Sequence, residues 1–343
     1  MSPRIGAAYD APMLPEPGKI EEAAALLNAG ELVAFPTETV YGLGADASNT
    51  AAVARIFAAK GRPTSHPLIV HFSNFGAART FASEVPQAAA RLAEAFWPGP
   101  LTLVLPKSGI VPAAVTGGQD TVALRAPAHP VARALLAAFG RGIAAPSANR
   151  YGRISPTRAT DVREELGNRV ALVLDGGACE VGLESTIVAC LDGRVTLLRP
   201  GSISRSQVAD VVGRVDDAGA DAPRAPGRQR SHYAPGTPLD IVDAGSLGSG
   251  LEAALAQGGR VAVLARTASP AKSDRVVWRE MPRAPAAYGR ALYAELRALD
   301  AAGVERILAE AVPAGEAWAA IADRLMRAAA RGEPADGVVD DSP

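Results

Sequence analysis

The chain has 343 residues, of which 48% are apolar, and its formal net charge is −1 at pH 7. This length suggests two domains with real cores, and the near-neutral charge excludes a global field that would attract nucleic acid or an acidic membrane. No apolar run approaches the roughly 18 residues of a membrane span. No apolar signal segment follows the first residues, so we expect a cytoplasmic protein without membrane contact. Only Cys179 and Cys190 occur, which excludes a disulfide framework and a cysteine-rich zinc site.

Residues 31–206 alternate between short apolar strands and helices. The first strand, 32–35, stops at Pro36, and a helix over 50–60 repeats apolar residues at helical spacing. Further strands are predicted at 67–72, 101–105, 122–125, 142–145, 171–174, 186–189 and 195–198, and further helices at 87–97, 130–139, 159–166 and 206–212. Because several strands are joined by short turns, the pattern predicts an α/β sheet with some antiparallel pairs.

The composition changes at residues 214–236. The stretch 216–227 is rich in Asp, Ala, Gly and Pro and has no core-forming pattern, which predicts a polar linker. A small α/β unit follows, with strands at 239–242, 261–264, 276–278 and 306–309 and helices at 251–257, 286–299 and 318–329.

The common nucleotide and metal fingerprints are absent from the sequence. No G-x-x-x-x-G-K-[ST] run occurs, no G-x-G-x-x-G follows the first strand, and no H-E-x-x-H or paired-cysteine site is present. The four histidines show no metal-ligand spacing. A nucleotide site in this chain is therefore not of the P-loop or dinucleotide type.

Positive charge stands at the ends of several predicted elements. Lys60 and Arg62 lie in K-G-R-P after the helix 50–60, where they answer the helix macrodipole or clamp phosphate oxygens. Arg125 and Arg199 end otherwise apolar strands, either as solvated strand edges or at the crevice where α/β sheets bind ligands. The functional interpretation predicts that these distant basic groups converge in one cleft.

Hydroxyl and amide side chains follow the strand 142–145. Ser147 and Asn149 come directly after it, and Ser155 and Thr157 precede the next helix. Each is also a favoured turn or helix-cap residue. Together with the basic groups, they suit a nucleotide-handling site of fixed charge, hydroxyls and an amide.

Taken together, these pieces resemble the threonylcarbamoyl-AMP synthase family in its long, two-domain form with an N-terminal YrdC-type domain. The family signature is K-x-R at 60–62 with S-x-N at 147–149. P-T-E-T-V-Y-G-L-G, P-L-I-V-H, F-W-P-G-P-L-T, E-S-T-I-V and H-Y-A-P stand in the family order, and the tail segments 291–300 and 320–325 also fit. The resemblance covers roughly residues 14–331.

The resemblance implies a YrdC-like fold over 14–213, a twisted mixed open sheet with flanking helices. It also implies a linker that acts as a lid at 214–236 and a small C-terminal α/β Rossmann-like domain at 237–331. The implied activity is that of a nucleotidyltransferase, which converts L-threonine, bicarbonate and ATP to L-threonylcarbamoyladenylate and pyrophosphate. A downstream transfer machinery then modifies tRNA to N6-threonylcarbamoyladenosine. Mg²⁺ is expected with the triphosphate; the sequence names no ligand for it, and Glu184 is the one candidate.

Site residues are implied where the motifs match. Arg125 is expected to hold the threonine carboxylate, Thr37 is a close rival of Thr39 for the substrate hydroxyl, and His66 stands where the family usually has Asn. The threonine site comprises Thr39, His71, Arg125, Ala145 (by its backbone) and Ser185. The ATP and catalytic set comprises Lys60, Arg62, His66, Thr121, Ser147, Asn149, Ser155, Arg199 and Tyr233, of which Lys60, Arg62, Ser147 and Asn149 are the catalytic candidates.

Two other functions remain open at this stage. Residues 141–169 carry six arginines, which would suit a structured-RNA-binding module with a basic concave face, or a weak RNA contact of the enzyme. The aromatic content of 5% argues against a stacking platform for bases. The other alternative is a related carbamoyl-transfer enzyme that uses a similar pocket on another acceptor.

Overall fold

The computed structural model describes residues 15–16, 18–227, 232–269 and 273–330. They form a ten-stranded mixed sheet and a four-stranded parallel sheet, both with flanking helices, so the predicted α/β fold class is confirmed. The expected domain limits at 14 and 331, and linker residues 228–231, lie outside the described residues. Among the helices described, none is both long and apolar enough to cross a membrane.

The large sheet is built from the first two thirds of the chain. Its strands are β1 (Val33–Phe35), β2 (Gly42–Asp46), β3 (Ile69–His71), β4 (Leu101–Pro106), β5 (Thr121–Arg125), β6 (Ile143–Ala144), β7 (Leu172–Val173), β8 (Thr186–Leu191), β9 (Arg194–Arg199) and β10 (Asp216–Asp217). Their order across the sheet is β10-β9-β8-β4-β5-β3-β6-β2-β1-β7. The helices around it are α1 (Lys19–Asn28), α2 (Thr50–Lys60), α3 (Phe75–Ala78), α4 (Gln87–Phe96), α5 (Ala113–Thr116), α6 (Pro130–Phe139), α7 (Ala159–Leu166) and α8 (Arg205–Val212).

Strand alternation divides the core of this unit between the two faces of the sheet. In β1, Val33 and Phe35 join a cluster with helices α1 and α6, whereas Ala34 joins the cluster that contains α2 and α4. Helix α2 forms because Val53, Ile56 and Phe57 recur at helical spacing, and the Asn49 side chain caps its first turn.

Strand pairing brings several chain ends together in the middle of the sheet. Parallel pairing of β3 with β5 places His71 opposite Arg125. The hairpin of β8 and β9 places Arg199 opposite Ile187, close to the start of β8. Polar residues at these strand ends therefore become neighbours, although they are far apart in sequence.

The smaller sheet belongs to the last third of the chain. Its strands are β11 (Leu239–Val242), β12 (Val261–Ala265), β13 (Val276–Glu280) and β14 (Arg306–Glu310), all parallel and in the order β11-β14-β12-β13. Its helices are α9 (Leu247–Ala256), α10 (Pro285–Asp300) and α11 (Ala319–Ala329).

The two units share a buried core. Val40, Ile154 and Leu183 of the large unit pack with apolar residues of α10 and α11 in one cluster. Gly182, at φ +75°, lets the chain approach α10 closely, because a Cβ there would lie 2.6 Å from the Cα of Arg290. The small unit is therefore packed directly onto the segment that leads to β8.

Strand β2 and the linker are among the elements that differ from the sequence-based expectation. Strand β2 was not predicted, because its two glycines lower strand propensity; a Cβ at Gly44 would lie within 3 Å of side chains of both Ile143 and Phe35. The linker was predicted to lack a core-forming pattern, yet it contributes β10 and buries Ala225 against the sheet. The linker residues that pack there, Ala218, Ala222 and Ala225, are small and stand among Gly, Pro and Asp, which weaken any strand or helix signal.

Candidate active site

A cleft opens across the middle of the large sheet. Its walls come from the ends of β3, β5 and β9, the segments before β2 and β8, the loop after β6, and the linker. The predicted site residues that line it are Thr39, Arg62, His71, Arg125, Ala145, Ser147, Ser185, Arg199 and Tyr233. The predicted residues outside its lining are Lys60, His66, Thr121, Asn149 and Ser155.

At one end of the cleft, Arg125 is compensated by a carboxylate. Its Nη2 pairs with Glu38 Oε1 at 2.7 Å, and its Nη1 donates to Thr39 Oγ1 at 2.9 Å. Glu38 Oε2 also accepts from the Ala128 amide at 3.0 Å. Burial alone would raise the pKa of Glu38, but the charge and hydrogen bond of Arg125 outweigh it and lower the pKa. The pair is therefore ionised and fixed, and Thr39 is oriented by the same guanidinium.

Neutral groups complete this end of the cleft. Burial, with the nearby charge of Arg125, lowers the pKa of His71 to about 3, so its ring is neutral at pH 7. Its Nδ1 is buried without a hydrogen-bond partner in the described residues, which leaves it available to a ligand. The side chain of Ala145 is only a methyl group, and its backbone amide donates to the Ile69 carbonyl. The Thr37 hydroxyl is engaged with Val40 O at 2.6 Å and with Thr39 at 2.8 Å.

The other end of the cleft holds two arginines that form no ion pair with a carboxylate of the described residues, although Glu184 is near enough to Arg199 to interact with it electrostatically. Among the described residues, Arg62 Nη2 donates to the Pro67 carbonyl at 3.0 Å and its Nε is buried without a partner. Arg199 donates to the carbonyl and hydroxyl oxygens of Ser185 and to the Pro226 carbonyl. Both are at most 6% exposed. Burial lowers the pKa of Arg62 to about 10, so the group stays charged at neutral pH.

Lys60 lies behind the cleft rather than in its wall. Its ammonium donates to the backbone carbonyls of Ser147, at 2.6 Å, and of Asn149. The Asn149 amide in turn donates to the carbonyls of Arg150 and Arg153, both at 2.8 Å. Burial, together with Arg62, lowers the pKa of Lys60 well below its usual range. The contacts of Lys60 and Asn149 therefore fix the loop that presents Ser147.

The linker closes one side of the cleft. Pro226 and Gly227 line it, and Gly227 is required there because a Cβ would collide with the Tyr233 hydroxyl. Tyr233 adopts the left-handed backbone conformation with φ +62°, and its ring stacks on Tyr293 of the small unit at 5.7 Å. Its hydroxyl is buried without a partner in the described residues. Strained backbone and an unused hydroxyl are both typical of ligand contacts.

Glu184 lies in the cleft lining, and both its carboxylate oxygens accept hydrogen bonds from other side chains. Its Oε1 accepts from Ser155 Oγ at 2.5 Å, and its Oε2 accepts from Tyr293 Oη and Arg324 Nε, both at 2.9 Å. Burial alone would raise the pKa of Glu184, but the charges of Arg324 and Arg199 lower it, so it is a carboxylate. Ser155, which the sequence predicts as an ATP contact, is therefore hydrogen-bonded to Glu184 in the structure.

Two other predicted nucleotide residues lie beside the cleft. The His66 ring is 5.6 Å from that of Tyr151, and burial with the charge of Arg62 lowers its pKa to about 4. Thr121 begins β5, at the end of the strand opposite Arg125. Linker residue Arg224 binds the nearby Gly117 carbonyl at 2.8 Å, so these residues border the linker rather than the central cleft.

No cluster of acids, histidines or cysteines in the described part of the chain could hold a metal ion. Both oxygens of Glu184, the candidate ligand from the sequence, accept hydrogen bonds from protein donors.

The sequence did not single out three of the residues that shape the cleft. Glu38 belongs to the motif P-T-E-T-V-Y-G-L-G, but its role depends on the pairing with Arg125. Tyr293 and Arg324 belong to the small unit and reach Glu184 from more than 100 positions away. One signal was available: Arg324 stands between Ile321 and Leu325 on the apolar stripe of its helix, where an unpaired charge would be costly.

Two family models match the chain in succession. The Sua5, YciO and YrdC model, described as "Telomere recombination", matches residues 25–201. The model described as "Threonylcarbamoyl-AMP synthase, C-terminal domain" matches residues 203–330.

Similar proteins cover nearly the whole chain. The threonylcarbamoyl-AMP synthase of Pyrococcus abyssi is 41% identical over 91% of this chain and 94% of its own length. That of Bacillus subtilis is 43% identical over 91% and 93%. The crystal structure of P. abyssi Sua5 complexed with L-threonine superimposes with a TM-score of 0.84 at 40% identity, covering 91% of this chain and 94% of that one.

Proposed function

The chain belongs to the threonylcarbamoyl-AMP synthase family, and we infer that it condenses L-threonine, bicarbonate and ATP to L-threonylcarbamoyladenylate and pyrophosphate. It is an enzyme of the nucleotidyltransferase type, and its product serves the threonylcarbamoyladenosine modification of tRNA. Threonine is supported as a ligand by the crystal structure of the P. abyssi relative with that amino acid.

The observation that carries this function is the pair of buried guanidinium groups that form no ion pair with a carboxylate of the described residues. Burying a charge without an ion pair costs several kcal/mol, and a bound anion would offset this cost for Arg62 and Arg199. A polyphosphate supplies the missing negative charge, and Arg binds phosphate oxygens through paired hydrogen bonds. We therefore place the triphosphate at this end of the cleft, with Ser147 as a hydroxyl contact.

The compensated end of the cleft suits a zwitterionic amino acid. Arg125 can hold the threonine carboxylate by charge-assisted bonds while Glu38 prevents an excess of positive charge. Thr39, Ser185 and His71 are the polar residues that line the cleft here and could meet the substrate hydroxyl and amine, and His71 Nδ1 has no hydrogen-bond partner in the described residues. The Thr37 and Thr39 hydroxyls are hydrogen-bonded to each other, so a substrate contact with one of them also affects the other.

The chemistry then requires positioning and charge neutralisation more than a protein nucleophile. The threonine nitrogen bonds to the carbon of CO2 and loses a proton, which gives a carbamate. When bicarbonate is the source, a C–O bond of bicarbonate breaks and its oxygen leaves as water. A carbamate oxygen attacks the α-phosphorus of ATP. The bond from that phosphorus to the bridging oxygen breaks, and the electron pair leaves with pyrophosphate. Arg62 and Arg199 stabilise the charge that develops on the leaving group.

The remaining polar residues hold this geometry in place. In this proposal Lys60 and Asn149 act by fixing the loop of Ser147 through backbone carbonyls. Ser155, His66, Thr121 and Tyr233 are proposed as further nucleotide contacts, and Ala145 contributes main chain beside the threonine. Mg²⁺ is expected to enter with ATP as part of the substrate.

We propose three functional segments for the chain: catalysis over 14–213, a lid over 214–236, and a supporting domain over 237–331. The hydrogen bond from Arg199 to the Pro226 carbonyl at 2.8 Å supports the lid. Arg199 is a proposed nucleotide contact, so the same guanidinium would bind both the linker and the nucleotide. We also propose that the product passes to a downstream tRNA threonylcarbamoyl-transfer machinery in the cytoplasm.

Pyrophosphate release by the full-length protein tests the activity. Release should require ATP, L-threonine and bicarbonate together, and threonylcarbamoyladenylate should be identified by mass spectrometry. Release that persists without threonine, or in bicarbonate-depleted buffer, would contradict the proposed reaction.

The alternative of an RNA-binding module has less support. Arg141, Arg150 and Arg153 of the basic stretch pair with Asp46, Glu165 and Asp300. These ion pairs reduce the positive charge that a phosphate backbone would meet. A thermal-shift panel of ATP, threonine and carbamoyl phosphate separates the synthase from a related carbamoyl-transfer enzyme.

A further inference from the structure

One arginine of the small unit is buried against the cleft of the large unit. Arg324 lies in α11 with its side chain 0% exposed, and its Nε pairs with Glu184 Oε2 at 2.9 Å. Its guanidinium carbon also stands 5.3 Å from the centre of the Tyr233 ring, within the range of a cation–π contact. Both partners line the cleft, so a single side chain of the small unit contacts two walls of the active site.

The surroundings of Arg324 indicate more than interdomain adhesion. A buried ion pair contributes little net stability compared with apolar residues of similar size, and the interface already has an apolar core of Val40, Ile154 and Leu183. What the ion pair adds is a fixed carboxylate. Glu184 then accepts from Ser155 at 2.5 Å, which orients the hydroxyl of a proposed nucleotide contact.

Tyr293 strengthens the same arrangement from the neighbouring helix. Its hydroxyl donates to Glu184 Oε2 at 2.9 Å, and its ring stacks on Tyr233 at 5.7 Å. Arg324 and Tyr293 therefore contact the same two cleft residues. They bind Glu184 by an ion pair and a hydrogen bond, and they contact the Tyr233 ring by a cation–π contact and by stacking. The threonine end shares no hydrogen bond with either of them in the described residues.

We propose that Arg324 is a positioning residue for the nucleotide: it holds the Glu184 carboxylate and the Tyr233 ring in the geometry that binds ATP. This inference rests on the proposed function and extends it, because it makes the small domain a part of the nucleotide site. It predicts that loss of Arg324 weakens ATP use and leaves threonine use nearly unchanged.

The central experiment compares Arg324→Met with Arg327→Met in the full chain. Arg327 lies one turn later on the same helix and, like Arg324, pairs with Asp323, but its side chain is 20% exposed whereas that of Arg324 is 0% exposed. Arg324→Met should raise the KM for ATP at least tenfold with the KM for threonine within twofold of wild type. Arg327→Met should leave both constants within twofold. An unchanged KM for ATP in Arg324→Met would overturn the proposal.

A second variant separates positioning from folding. Arg324→Met leaves the Glu184 carboxylate buried without its main partner, whereas Arg324→Met/Glu184→Gln removes both charges. The double variant should recover the melting temperature of the wild type but keep the raised KM for ATP. Recovery of both would show that Arg324 acts only on stability, and the proposal would fail.

The pH profile gives a readout that a purely structural role would not change. The charged and titratable groups that face Glu184 are Arg199, Arg324, Tyr233 and Tyr293. Without Arg324, protonation of Glu184 moves to higher pH. The KM for ATP of Arg324→Met should therefore rise further as the pH falls, and this dependence should vanish in the double variant. A flat profile in Arg324→Met would count against the proposal.

Calorimetry with a non-hydrolysable ATP analogue separates this inference from the proposed reaction. If the wild type binds the analogue but forms no threonylcarbamoyladenylate, the proposed function fails while the role of Arg324 is still tested by the loss of affinity. If the wild type is active and Arg324→Met binds the analogue normally, only the inference about Arg324 fails.

Discussion

The two ends of the cleft hold their arginines in different electrostatic surroundings. At the end proposed for threonine, Arg125 pairs with Glu38 and orients Thr39. At the end proposed for ATP, Arg62 and Arg199 are equally buried but bind only carbonyl and hydroxyl oxygens of the described residues. The difference matches the charges of the two ligands, because a zwitterion needs a balanced site whereas a polyphosphate needs an excess of positive charge.

This comparison also separates stability from function. A compensated arginine costs the fold little even when the cleft is empty of substrate. An uncompensated one costs stability and is repaid only when the anion binds. Substitutions at the two ends should therefore have opposite consequences for the unfolding free energy.

The largest expected effect on stability is at Glu38. Glu38→Ala leaves Arg125 buried without its carboxylate, so the unfolding free energy should fall by about 3–5 kcal/mol, measured by urea denaturation. Glu38→Gln keeps an acceptor for the Ala128 amide and should lose less. The double variant Glu38→Ala/Arg125→Met should regain most of the loss. A loss below about 1 kcal/mol, as for an exposed pair, would remove the contrast between the two ends.

The second prediction concerns the uncompensated end. Arg62→Ala and Ser147→Ala should each lower kcat/KM by about 100–1000-fold, the usual effect of losing one preorganised donor to a developing anion. Arg62→Ala should not lower the melting temperature, because it removes an unpaired buried charge. Arg55→Ala, an exposed arginine paired with Glu31, is the matched control and should change neither quantity. Near-normal turnover in both site variants would remove these residues from the reaction.

The smallest effect is a pH dependence at the compensated end. His71 has a pKa lowered from 6.5 to about 3 by burial, so the native state excludes a proton that the unfolded chain takes up below pH 6.5. Its contribution to the unfolding free energy should therefore decrease as the pH falls below 6.5. The slope should approach about 1.4 kcal/mol per pH unit until the pH nears 3. Urea unfolding of His71→Gln from pH 7 to pH 4.5 should show a weaker dependence. Equal slopes for both proteins would mean that His71 is not held neutral.

Much of the fold could be predicted from local sequence patterns. The helix predicted over 50–60 is α2 with the same bounds, because its apolar spacing and its Asn49 cap act within one segment. Strand β2 was missed because glycines at 42 and 44 read as loop, and only the crowding by Phe35 and Ile143 explains them. Helix α1 was also missed, although Ala23, Ala24 and Leu27 carry a helical period.

The candidate site was predictable in composition but not in geometry. The residues that line the cleft include Arg62, Arg125 and Arg199, which the sequence marked as strand and helix ends. Lys60, which the sequence placed in the same group, instead binds the backbone carbonyls behind Ser147. No local pattern could separate these cases, because the direction of a long side chain depends on what packs around it.

The sequence by itself determined the fold class, most of the helices and strands, and the set of polar residues that the family reaction requires. Only the tertiary structure decided which charges are paired. Glu38 meets Arg125 across 87 positions, and Glu184 meets Arg324 across 140. The energy of such a pair depends on distance and burial after folding, and neither quantity is written in the local order of residues.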